Sequence, residues 1–251
     1  GHGLVPVARH LQARGVDQLG VAFVEEGVAL RRAGISIPIL VLGGIFGPQV
    51  AQFLEHDLEI TVSSLDKLRQ VEATARAMGR KVTIHLKIDT GMERIGVHSY
   101  SAGPFIEAAA ASTWCILKGI YSHLACADDP ASPMTALQLE RFNQACAHFE
   151  RIGAPMPLRH LANSGGVLHF PETWLDIVRP GIALYGVLPD PASQPTIPLR
   201  PALSLVSRVV FFKVVKAGNP VSYGATWASA VDTRVVTVPV GYGDGYPRAL
   251  S

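Results

Sequence analysis

Six side chains able to do chemistry stand where short apolar runs end: Lys87 and Asp89 in HLKIDTGMERIG, His123 in GIYSHLA, Asn163 and Ser164 in HLANSGG, and Arg179 in VRPGIALYG. An amine, an imidazole and a guanidinium suit proton transfer and the binding of negative charge. Ser164 is followed by Gly165 and Gly166, and Gly181-Ile182 follows Arg179. A hydroxyl and free backbone N–H groups at strand-to-helix turns are what a phosphate needs. The sequence holds neither a Walker loop nor G-x-G-x-x-G. A nucleotide therefore fits poorly, and a single phosphate on a flat ring fits better. Such a ring could stack on His123 while Arg179 meets its edge. Taken singly, each residue has a duller explanation: a lone His is more often a packed core residue, Asn-Ser a turn or N-cap, and a lone Arg half of an ion pair. Polar stations at successive strand ends are harder to dismiss.

The elements that must position them read as strand then helix, repeated. From Lys81 to Asp89, Val82, Ile84, Leu86 and Ile88 alternate with Thr83, His85, Lys87 and Asp89, which is a strand with one polar face. Its plainest reading is an antiparallel strand with a wet side. Strands are expected at Val21–Val24, Ile39–Leu42, Ile60–Ser63, Leu117–His123, Leu158–Asn163 and Leu175–Arg179, with helices between them. The best punctuated helix runs from Leu65 to Met78, with Ser64 as N-cap and Gly79 beyond its end. Another runs from about Ala102 to Ala111, and a third starts near Pro133. This repetition predicts a parallel sheet, and the number of units favours a TIM-like (β/α)8 barrel, whose active sites gather at the carboxyl ends of the strands.

Residues 1–198 are assigned to that barrel. From 199 to 251 the texture changes, through Pro-rich SQPTIPLRP to β-branched runs separated by turns, and predicts the start of a mainly β domain. A formal net charge of +2 with no long Lys/Arg cluster gives no reason to expect nucleic acid or an acidic membrane as partner. No apolar run reaches the roughly 18 residues of a membrane span. Three cysteines without metal-ligand spacing suit free thiols in a reducing, cytoplasmic setting, with no metal.

The motifs Gly1-His2-Gly3, KIDTGMERIG, YSHLACAD, HLANSGG, VRPGIALYG, VSYGATW and VPVGYGDGYPR occur in the order, and nearly with the spacing, found in the alanine racemases. The chain resembles that family of pyridoxal 5'-phosphate enzymes over essentially its whole length. The resemblance implies that His123 stacks beside the cofactor ring, that Ser164, Gly181 and Ile182 hold the phosphate with Asn163 beside them, and that Arg179 meets the pyridine nitrogen. It implies that Lys87 matches a lysine carbamylated in many relatives, where it orients the arginine matched by Arg94 at the substrate carboxylate. Tyr223 matches the catalytic tyrosine. Two chains are expected head to tail as a homodimer with shared active sites, one chain's Tyr223 serving the other's barrel. In the family the attachment lysine lies just before Gly-His-Gly. The resemblance therefore implies that this lysine and the end of the β-domain fall outside these 251 residues, and that the chain alone is inactive.

The implied reaction removes the α-proton of an amino acid bound to the cofactor as an imine and returns a proton on the other face, so two bases are needed. An arginine, with a free pKa above about 12, can donate to the pyridine nitrogen but hardly give up its proton. A tyrosine base needs nearby cations, because a free phenol titrates near about 10. Two other readings stay open at this point. One is another barrel-type pyridoxal-phosphate enzyme, such as a different amino-acid racemase or a basic amino-acid decarboxylase, although the latter usually sets an acidic residue where Arg179 stands. The other is a non-catalytic cofactor-binding protein.

Overall fold

Apolar runs become strands and the stripes between them become helices. In order along the chain these are α1 (Leu4–Ala13), β1 (Leu19–Val21), α2 (Val24–Arg32), β2 (Ile39–Val41), α3 (Val50–Glu55), β3 (Glu59–Val62), α4 (Leu65–Ala77), β4 (Val82–Asp89), β5 (Val97–His98), α5 (Gly103–Ala110), β6 (Cys115–Tyr121), α6 (Met134–Arg151), β7 (Leu158–His160) and α7 (Ser164–His169). The computed structural model describes residues 1–192 and 197–250. Residues 193–196 of the Pro-rich stretch thus lie outside the described residues. The chain divides into two compact units, Gly1–Ala202 and the residues from Leu203 on.

In the first unit β1, β2, β3, β4, β6 and β7 pair in sequence order, each pair parallel, with β5 beside the end of β4. This is the order of a TIM-like α/β barrel. The polar face of β4 therefore looks into the barrel, as the parallel-sheet reading expects, and not into water as the plainer antiparallel alternative would have it: His85, Lys87 and Asp89 are buried along with Ile84, Leu86 and Ile88. Crossover helices cover the outer face of a parallel sheet, and the inner face looks into the barrel.

α4 illustrates how local sequence sets an element. Ser64 Oγ accepts the Lys67 N–H at 3.2 Å, Leu68, Val71 and Ala75 bury one face, and Gly79 takes φ +63 just past the end. α6 buries Phe142, Cys146 and Phe149, and each large apolar side chain so buried stabilises the fold by about 1.5–3 kcal/mol over leaving it in water. Two expected strands come out differently. Val24 starts α2 rather than ending β1, because the Glu26 carboxylate accepts the N–H groups of Ala22 and Phe23 at 2.8 and 3.2 Å and closes the helix start there. Leu175–Arg179 forms a single bridge, from His160 to Ile177. Leu175 sits at φ +51, and Arg159 O receives N–H from both Asp176 and Ile177, so no ladder extends.

The second unit pairs β8 (Phe211–Val215) with β11 (Thr233–Thr237), and β9 (Pro220–Val221) with β10 (Trp227–Ala228), both antiparallel, and its helical turns are short 3-10 pieces such as Tyr223–Ala225. β8 starts at Phe211, so in the β-branched run SLVSRVVFFKVVKAG only Phe211–Val215 forms strand.

Candidate active site

Strand register assembles the inner face of the barrel. Lys87 lies beside Tyr121, and Tyr121 beside His160, across β4, β6 and β7. Asp89, at the end of β4, folds the following loop: its Oδ1 accepts the N–H groups of Gly91 (2.8 Å), Met92 (3.0 Å) and Glu93 (3.2 Å), and its Oδ2 that of Arg94 (3.2 Å). Burial pushes the Asp89 carboxyl up, but these N–H groups and Lys87 outweigh it and hold the group below the usual carboxylate value. Asp89 is thus the mount for Arg94, whose side chain is exposed.

Lys87 Nζ donates to Ile88 O at 3.3 Å and lies 5.1 Å from the centre of the Tyr121 ring. Burial, with help from Arg179 and Arg94 and against Asp89, pushes its pKa down to about 7. A large share of this amine is therefore neutral at physiological pH. Among the described residues no hydrogen bond joins Lys87 to Arg94; the two meet only through their charges.

Arg179 reaches back under the rim. Its Nη2 donates to Ser122 O (2.7 Å) and Leu161 O (3.2 Å), and its Nη1 to His160 Nδ1 (2.9 Å). Burial brings its pKa down to about 10, below the free value assumed from sequence but still protonated at neutral pH. Tyr121 lies beneath, stacked on the His160 ring at 4.6 Å and 10°, with its hydroxyl 2.8 Å from Thr61 Oγ1. Burial pushes that phenol up to about 12, so it stays neutral.

Ser164 opens α7 and faces the next turn. Its Oγ accepts the N–H groups of Gly181 (2.9 Å) and Ala183 (3.2 Å), while Ile182 starts a short turn of 3-10 helix, Ile182–Tyr185. Asn163 caps α7, its Oδ1 accepting Gly166 N–H at 3.0 Å and its Nδ2 donating to Leu124 O at 3.1 Å. A side chain at Gly165 would place Cβ 2.3 Å from Ala127 O, so only glycine lets this turn sit so close. The His2 ring packs on Tyr185 with centres 4.4 Å apart, which lays Gly1-His2-Gly3 against the same turn. His123, half-buried just past β6, has its pKa pushed down to about 4, by burial first and then by Arg179, Lys87 and Arg94. It presents a neutral, flat ring.

The first unit therefore brings Lys87, Arg94, His123, Asn163, Ser164, Arg179, Gly181 and Ile182 to the ends of its strands and the turns that follow. Tyr223 belongs to the second unit and is described there alone. It is 90% exposed, on the tip between β9 and β10, where Ser222 and Ala225 both take positive φ. Such backbone costs about 1–3 kcal/mol per residue and is tolerated mostly at functional sites. Sequence reasoning passed over Tyr121, His160 and His85 as participants; alternation along β4 and β6, carried one strand further, points all three inward.

Residues 1–189 match the model of the alanine racemase N-terminal domain, and residues 202–251 that of the alanine racemase C-terminal domain. The chain is 42% identical over 253 residues to an alanine racemase of Desulforamulus reducens and 43% identical over 251 residues to one of Symbiobacterium thermophilum. It is covered completely in each case and spans 68% and 67% of their lengths. Among solved structures, alanine racemase from Streptomyces coelicolor A3(2) superimposes with a TM-score of 0.90 at 35% identity, covering 100% of this chain and 68% of its own. A histidine racemase from Leuconostoc mesenteroides superimposes with a TM-score of 0.82 at 30% identity, covering 98% and 66%. In two domain matches, in sequence over its full length and in fold, the chain belongs to the alanine racemase family.

Proposed function

We propose that the protein interconverts L-alanine and D-alanine with pyridoxal 5'-phosphate, working as a homodimer in the cytoplasm. One observation carries the reading: the Ser164 hydroxyl, on which the N–H groups of Gly181 and Ala183 converge, ties the start of α7 to the turn that follows Arg179, whose guanidinium is protonated. That donor set fits a phosphorylated pyridine. Ser164, whose own O–H remains to be donated, and the Ile182 N–H would take the phosphate, with the Gly181 N–H exchanging its bond to Ser164 Oγ for one to the phosphate; Asn163 would hold their turn, Arg179 would donate to the ring nitrogen, and His123 would pack its neutral ring alongside. Bound there, the cofactor supplies a carbonyl to join the substrate amine and a conjugated ring to spread the charge left by the departing α-proton.

The chain's own groups divide the remaining work. Arg179, titrating near 10, donates without giving up its proton. Arg94, mounted on Asp89, pairs with the substrate carboxylate. Lys87, partly neutral at pH 7, can add carbon dioxide through a new N–C bond, release one N–H proton to solvent, and as a carbamate offer Arg94 an anion. Tyr223 is a base on one face of the substrate, delivered to the barrel mouth of the partner subunit. Free cysteines at 115, 126 and 146 suit a reducing compartment.

Expressed from its complete coding sequence and loaded with pyridoxal phosphate, the protein should convert L-alanine to D-alanine, read by chiral chromatography. A racemase for a larger amino acid is the second reading, favoured by the likeness to a protein named histidine racemase. Turnover of L-histidine without turnover of alanine would establish it, and release of carbon dioxide would move the protein to the decarboxylases.

A further inference from the structure

The barrel interior holds a line of polar side chains that this reaction scheme leaves unused. Beyond Arg179 and His160, His160 Nε2 lies 2.8 Å from His85 Nδ1, and His85 Nε2 lies 2.8 Å from Glu59 Oε2. Glu59 also receives Gln18 Nε2 at 2.7 Å and Lys118 Nζ at 2.5 Å. Glu59 opens β3, at the opposite end of the barrel from the rim. All three of His85, His160 and Glu59 are buried.

Hydrogen-bonding rules fix every proton in the line. A guanidinium can only donate and a carboxylate can only accept. Because Arg179 Nη1 donates to His160 Nδ1, that nitrogen carries no proton, and His160 carries its single proton on Nε2. That proton points at His85 Nδ1, which must accept, so His85 holds its own on Nε2 and gives it to Glu59. An imidazolium at His85 would aim a second N–H at His160 and leave both nitrogens of His160 accepting, which a neutral imidazole cannot do. Burial, with the cations around it, holds both imidazoles below their ordinary pKa, in keeping with two neutral rings.

We infer that Glu59 is a positioning residue: through His85 and His160, in one-way hydrogen bonds, it holds the Arg179 guanidinium in a single pose at the rim. The line commits one face of Arg179 to the barrel wall, together with Ser122 O and Leu161 O, and leaves two of its five N–H groups for a ligand. Buried hydrogen-bonded chains of this kind rigidify their members. The weight this has in catalysis rests on the proposed role of Arg179; the proton assignment does not.

Nuclear magnetic resonance of the chain labelled with ¹⁵N at histidine and arginine tests both parts. Long-range ¹H–¹⁵N correlations should show only the Nε2–H form of His85 and His160 from about pH 6 to about pH 9, and slowed rotation about the Arg179 guanidinium bonds. His85→Leu, which cuts the line, should release His160 into both tautomers and free Arg179 to rotate. His85→Gln, whose amide both accepts and donates, should restore the single form and the slow rotation. An Nδ1–H form at either histidine, an imidazolium at neutral pH, or an Arg179 signal that ignores His85→Leu would overturn the inference. The unmodified chain's spectrum decides the proton directions even where a variant fails to fold. A protein from the complete coding sequence, loaded with pyridoxal phosphate, that shows these tautomers and no racemase activity would sink the functional reading and leave the line standing.

Discussion

Replacing Lys87 by methionine should stabilise the chain, and by an amount that depends on pH. Lys87 is 3% exposed, and its amine titrates at about 7 in the fold against 10.5 in solution. At about 1.4 kcal/mol per pH unit, holding such a group costs the fold on the order of 4–5 kcal/mol below pH 7. Relaxation and water penetration reduce figures of this kind, so the expected gain is about 2–4 kcal/mol at pH 6, methionine having similar length and no charge. The sign follows from proton binding. Between pH 7 and 10.5 the unfolded chain keeps the Lys87 proton and the native chain has released it, so native stability climbs with pH in that window. Below it both states are protonated and the cost is constant; above it both are neutral and the cost is gone. Urea unfolding of the unmodified and Lys87→Met chains at about pH 6, 8 and 10, in buffers stripped of carbon dioxide, should therefore show a gap that is widest at the acid end and nearly closed at pH 10. A gap that stays flat would mean the Lys87 amine is solvated, and would refute the account of why it is ready to react with carbon dioxide.

Three further outcomes are expected. Gly119→Ala would put Cβ 2.1 Å from His85 Nδ1; overpacking at about 1–3 kcal/mol and a displaced buried imidazole at about 1–3 kcal/mol should lower Tm by at least about 5 °C, and calorimetry finding less than about 2 °C would place the His85 ring elsewhere. Ser164→Ala in the whole protein should weaken pyridoxal phosphate about tenfold or more, since it removes a charge-assisted hydrogen bond; an unchanged Kd in an absorbance titration would contradict the phosphate assignment. Whole-protein Tyr223→Phe and Arg179→Leu, mixed under subunit exchange, should regain activity at about a quarter of the sites if each site draws on both chains of a symmetric dimer; exchange without recovery would sink the shared site.

Much of the barrel was legible because its signals are local. Ser64 and Gly79 bracket α4 in sequence as they do in space, and the alternation along β4 set apart His85, Lys87 and Asp89. What alternation could not tell is whether that polar face meets water or a barrel interior, since this depends on strands far along the chain. The same holds for the pairing of His85 with His160, 75 residues away, and for Glu59, which in LEHDLEITV reads as an ordinary strand edge. Leu175–Arg179 looked like a strand by composition, yet Leu175 at φ +51 is a backbone choice that residue type does not announce.

The turn built on Asp89 bears on how a guest enters. Four amides converging on one carboxylate resist opening, so Gly91 to Arg94 is a fixed doorpost and not a lid. The amide protons of those residues should outlast those of ordinary surface loops in heavy water. In the proposed site, admission then depends on the swing of one long side chain, which relaxes in nanoseconds. With Arg94 in the role proposed above, it can turn toward an arriving carboxylate and away from a departing one without any part of the backbone unfolding.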